Sequence, residues 1–96
     1  MTQSLTIRIA YPDDRAALER LATLDARPLP SEPLLVAEVD GEPWAAVSLA
    51  DGGAVADPFR RSGALVDLLE ARREQVAAAG RKARLARRIT AALRFA

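Results

Sequence analysis

Apolar and polar residues alternate along Leu5-Thr6-Ile7-Arg8-Ile9-Ala10, the period-two signature of a half-buried strand with Leu5, Ile7 and Ile9 facing a core. The period then lengthens. Ala17, Leu18, Leu21, Ala22 and Leu24 share one face of a helix from about Pro12 to Asp25. A proline suits its first position, and Asp13 and Asp14 sit at the positive end of its dipole. The segment Arg27 to Pro33 carries Pro28, Pro30 and Pro33, which excludes regular helix and central strand and makes it a connector. Leu34 to Val39 is a second strand, followed by Asp40-Gly41, a two-residue hairpin turn whose members both tolerate positive φ. Trp44 to Ala50 forms a third strand, Asp51-Gly52-Gly53 a further turn, and Ala54 to Ala56 a short fourth strand.

The second and third strands are apolar on both faces (Leu34, Leu35, Val36; Ala45, Ala46, Val47), so each face of the sheet needs a cover. One helix precedes the strand meander and one follows it, which predicts a helix on each side. In the later helix Leu65, Leu68, Leu69, Val76 and Ala79 recur at helical spacing, while Asp67, Glu70, Arg73 and Glu74 supply a wet face. Gly80 reads as its C-terminal stop. Helical spacing resumes from Arg81 to Phe95 with Leu85, Ile89, Leu93 and Ala96 on one stripe. The expected class is α+β: a four-stranded, mostly antiparallel sheet in the order β-α-β-β-β-α, with an extra basic helix at the C-terminus. Residues 1–80 form the domain and 81–96 the basic amphipathic helix.

Composition narrows the chemistry. Ninety-six residues suit one small domain. The chain has no cysteine and no histidine, which removes disulfides, Cys/His zinc sites, thiol nucleophiles and histidine bases. No apolar run reaches the ~18–20 residues of a membrane span. The first residues lack the pattern of a signal peptide, so a cytoplasmic protein is expected. Charge is unevenly divided: residues 1–80 carry all 13 acidic side chains against 8 basic ones, and residues 81–96 carry 6 basic side chains and no acidic one. An acidic body is joined to a basic tail.

The element order resembles the N-terminal half of the GNAT acetyltransferase superfamily over roughly residues 5–80. Ile7-Arg8 in the first strand, Pro12-Asp13-Asp14 at the first helix and Val36-Ala37-Glu38-Val39-Asp40-Gly41-Glu42 at the hairpin carry the resemblance, together with Val55 to Gly63 before the long helix. The resemblance implies an acyl-CoA site at Arg60, Arg61, Ser62, Gly63 and Ala64, where small residues let backbone amides approach a pyrophosphate. Two departures accompany it. Leu65 stands at the second small position of the family's loop, where it is expected to crowd a phosphate. The chain also ends in the basic tail where the family continues with the strands that complete its cleft, and no tyrosine follows Tyr11. Glu38, Glu42 and Asp51 lie at strand ends or turns, so no general base is evident.

These readings lead to a small noncatalytic GNAT-like protein, without cofactor, acting as an interaction or homodimerisation module. Self-association is expected through the open edge of the fourth strand or the face of the long helix. Two alternatives stand beside it. One is an acyl-CoA-binding N-acetyltransferase, using acetyl-CoA, completed by a second subunit. The other is contact with nucleic acid or an anionic membrane through Arg84, Arg87 and Arg88. Against these, Arg60 and Arg61 also read as a solvated pair beside Asp57, Trp44 as a core or interface anchor, and the tail stripe as a surface that docks on the body or on a twin subunit.

Overall fold

A computed structural model describes residues 3–94. Strand β1 (Leu5–Ile9) leads through a 3-10 turn (Pro12–Asp14) into helix α1 (Arg15–Leu24). Strands β2 (Leu34–Val39), β3 (Glu42–Ser48) and β4 (Ala54–Ala56) follow, then helix α2 (Gly63–Arg94). The sheet is fully antiparallel in the order β1-β2-β3-β4. The α+β class, the strand order and the helix on each face all agree with the sequence reading.

The β2–β3 hairpin turns as its sequence requires. Asp40 and Gly41 both have positive φ, at 51° and 86°, the backbone that matches the twist of the flanking strands. The pairing shifts register between Ala37 and Glu38, so Trp44 is an extra residue on β3. Such a bulge bends the strand and re-aims a side chain.

The two faces of the sheet are buried by different helices. On one, Leu18, Leu21 and Ala22 of α1 pack on Leu34, Val36, Ala46 and Val55. On the other, Leu69 of α2 packs on Leu35, Ala37, Ala45 and Val47, with Leu65, Val66 and Ile7 at its margin. Period-two alternation in β2 and β3 thus divides one apolar run between two cores. Buried Ser48 ties the connector to this layer: its hydroxyl donates to the Ser31 carbonyl at 2.6 Å and accepts from the amides of Ala50 and Asp51.

Two expectations are corrected. Leu5 and Ile9, expected in a core, share the α2-side face with Ile7 but stay 46% and 44% exposed, because the helices lie over β2, β3 and β4. Gly80 does not end a helix. Ala77, Ala78 and Ala79 before it and Arg81, Lys82 and Ala83 after it are strong helix formers, and their summed preference exceeds the cost of one glycine, about 1 kcal/mol. α2 is a single helix of 32 residues, so the basic tail continues the long helix. Ala96 of the expected stripe lies outside the described residues.

At about 1.5 Å per residue α2 spans roughly 48 Å, far more than strands of three to seven residues can support. The molecule accordingly measures 58 × 31 × 22 Å. The distal half of α2 is an overhang.

Candidate functional site: the junction of β4 and α2

The junction is built on Asp57. Its amide continues the ladder by donating to the Trp44 carbonyl at 2.9 Å, and its carboxylate accepts the Phe59 amide at 2.9 Å, closing a tight turn. The buried Ser62 hydroxyl donates to the Asp57 carbonyl at 2.8 Å. Serine is a favoured residue before a helix because its oxygen can accept a helix amide, yet Ser62 turns its hydroxyl toward the loop. It holds the loop closed rather than facing a ligand.

Arg60 is committed to the protein itself. Its guanidinium lies 4.7 Å from the centre of the Trp44 ring, with Nη2 3.0 Å from Glu42 Oε2 and Nε 3.3 Å from Asp57 Oδ2. The bulge at Trp44 presents the ring to this cation. Stacking and two carboxylates leave Arg60 little capacity for a pyrophosphate. Arg61, Gly63 and Ala64 are exposed, and nothing lies within 4 Å of where a Cβ on Gly63 would sit. Leu65 points inward, against the α2-side core. The expected crowding of a phosphate by Leu65 is therefore corrected: the side chain is used for packing. Of the five residues expected to form a cofactor loop, the loop brings together only Arg61, Gly63 and Ala64 at its surface.

The carboxylates considered as bases are each engaged. Glu38 Oε2 lies 3.0 Å from Arg8 Nη2, and Glu42 pairs with Arg60. Asp51 accepts the Gly53 amide at 2.7 Å, and this hydrogen bond holds its carboxyl below the usual carboxylate range. A carboxylate of lowered pKa is a weak proton acceptor near neutral pH. One hollow, about 530 Å³, lies between the connector and the β3–β4 turn, lined by residues such as Pro28, Pro30, Asp51 and Ala54. Another, about 510 Å³, lies beside Tyr11, Leu18 and Leu34. Neither touches the junction. Among the described residues no group of three or more acidic, cysteine or histidine side chains is placed to hold a metal ion.

The most connected polar cluster escaped the sequence reading. Arg8 grips Asp14 through two hydrogen bonds of 2.7 and 2.8 Å, reaches Glu38, and lies 5.1 Å from the Tyr11 ring centre. Asp14 also accepts the Tyr11 amide. The Arg8 hydrogen bonds, reinforced by the Tyr11 amide, pull Asp14 down to about 2, and the two carboxylates raise Arg8 in turn. This bidentate clamp fastens β1 to the start of α1 and to β2. The signal was Arg8 on the polar side of the first strand, six residues before an aspartate at a helix start.

The edge of β4 is also more closed than its sequence suggests. The Ala56 amide, which points away from β3, donates to Asp25 Oδ2 at 3.0 Å from the end of α1. Arg84, Arg87 and Arg88 all lie on the overhang and are exposed. Around them Leu85, Ile89 and Leu93 are likewise exposed. No helix among the described residues is long and apolar enough to cross a membrane. No protein-family model, no curated protein and no solved structure matches the chain.

Proposed function

We propose that the chain is a noncatalytic interaction module on a GNAT-like half-fold, acting in the cytoplasm, with the outward face of α2 as its working surface. One observation carries this reading. Leu69 lies on the side of α2 that turns to the sheet, whereas Leu85 follows it by 16 residues, about four and a half turns, and therefore faces nearly the opposite way. A continuous helix cannot fold its distal half back on its own body, so the overhang's apolar stripe is addressed to another molecule. The polar side chains considered for catalysis point the same way: Arg60, Glu38, Glu42 and Asp51 are each taken by internal partners.

A second reading, an acyl-CoA site completed by another subunit, is favoured by the open space at Gly63, where amides at a helix start are accessible to phosphate. Isothermal titration with acetyl-CoA separates the two. No saturable heat is expected, and saturable binding weakened by Arg61→Ala would overturn the noncatalytic reading. Salt-sensitive retention on anionic vesicles or duplex DNA that needs Arg84, Arg87 and Arg88 would instead move the function to a charged surface.

A further inference from the structure

The outward face of α2 carries a spacing that continues across Gly80 and is apolar except at Gln75 and Lys82. At alternating spacings of four and three, its proximal half presents Ala64, Leu68 and Ala71, and its distal half Leu85, Ile89 and Ala92. Gln75, Ala78 and Lys82 fill the positions between. All are exposed, and together they cover four heptads, the length over which such a stripe becomes a coiled-coil seam. The stripe drifts slowly around the helix, as a seven-residue period on about 3.6 residues per turn must. It never rotates into the face held by Leu69.

One flank of the seam carries charge at every seventh residue: Asp67, Glu74, Arg81 and Arg88. The series is acidic on the body half and basic on the overhang. Within one chain Arg81 Nη2 lies 3.1 Å from Glu74 Oε1, while Asp67 and Arg88 make no ion pair among the described residues. A sequence of this polarity is self-complementary in one orientation only. Laid antiparallel on a copy of itself, Asp67 meets the copy's Arg88 and Glu74 meets the copy's Arg81. The same register sets Leu68 beside the copy's Leu85 and Ala64 beside its Ile89, so the large side chains of each overhang meet apolar positions of the other's body half. In the reversed orientation with these flanks facing, like charges would coincide.

We infer that α2 pairs with α2 of a second copy of this chain as an antiparallel helical seam centred near residues 76–78, each overhang covering the outer face of the other's body half. The inference rests on the reading of α2 as the working surface and names the occupant. In this register Lys82 and Gln75 face Ala71 and Ala78 of the copy, small side chains that leave their polar ends room to reach water. Self-pairing also explains the division of charge along the chain: each basic overhang lies on an acidic body half that its own helix geometry denies it.

The absence of cysteine from the native sequence gives a clean test. Light scattering should report a dimer at micromolar concentration that weakens as salt rises. Asp67→Arg with Glu74→Arg, and separately Arg81→Glu with Arg88→Glu, should each weaken self-association on the order of tenfold or more. Mixing the two variants should restore the dimer. Under mild oxidation, Ala71→Cys mixed with Lys82→Cys should give chiefly the mixed disulfide, because antiparallel register sets these positions side by side. A monomer at these concentrations, a dimer indifferent to the charge swaps, or crosslinking confined to like variants would overturn the seam. A dimer through another face would overturn the seam and leave the interaction module standing, whereas acetyl-CoA binding would remove the module itself.

Discussion

The proximal and distal halves of α2 share one backbone, yet only the proximal half buries a face. In the first, Leu69 is 0% exposed and sits on Leu35, Ala37, Ala45 and Val47 of the sheet. In the second, Leu85 and Ile89 are 57% and 52% exposed and touch no sheet at all. A leucine therefore does different work according to where the supporting strands stop. The proximal half is held by tertiary packing, whereas the distal half persists as helix through the preferences of its own residues and its continuity with the first.

That contrast can be broken most severely at Leu69. Leu69→Ala should cost about 2–5 kcal/mol in urea unfolding, because the site is enclosed by strand and helix and cannot collapse freely. Leu85→Ala, measured on dilute monomer, should change unfolding by no more than about 0.5 kcal/mol while weakening self-association. Equal losses of stability at the two positions would show that the overhang is part of the body's core.

A smaller effect sharpens the comparison through pH. Asp14 is held at about 2 in the folded body against an ordinary value of 3.8, so its contribution is present above the ordinary value and lost as pH falls through about 2. Asp14→Asn should lower stability by on the order of 1 kcal/mol at neutral pH and flatten the acid limb of the stability profile. Urea titrations across that range check both. The overhang, which lacks acidic side chains beyond Glu74, has no counterpart to this clamp.

The smallest change lies at the boundary. Gly80→Ala should raise stability by about 0.5–1 kcal/mol, since helical glycine is costly and nothing lies within 4 Å of the added Cβ. Circular dichroism on heating would detect it. A destabilised variant would mean that the two halves meet at a hinge.

What was legible in the chain depended on how local each cause is. The Asp40-Gly41 turn, the strand Leu34–Val39 and the face of α1 follow from residues within a few positions of one another, and they were readable. Leu5 and Ile9 were assigned to the right face of β1. Their exposure depends on which strands the helices cover, a tertiary fact that periodicity does not contain. Gly80 misled because a single breaker was weighed without the six strong helix formers around it. Reading Arg60 beside Asp57 was correct, but the Trp44 ring stacked on it is presented by a bulge with no clear mark in the sequence. The resemblance that suggested a cofactor there concerned spacing, whereas the fate of each side chain was decided by contacts across the sheet.

The hydrogen bond from Ala56 to Asp25 bears on how many copies can gather. A bare outer strand invites a further strand, and each addition exposes a new bare edge, so growth has no natural end. With the outward amide of a three-residue strand already satisfied from α1, that route is blunted at its first step. Assembly through helices that cover each other reciprocally consumes its own sticky surface and stops at two. One aspartate at the end of a ten-residue helix thus closes this strand edge to open-ended growth.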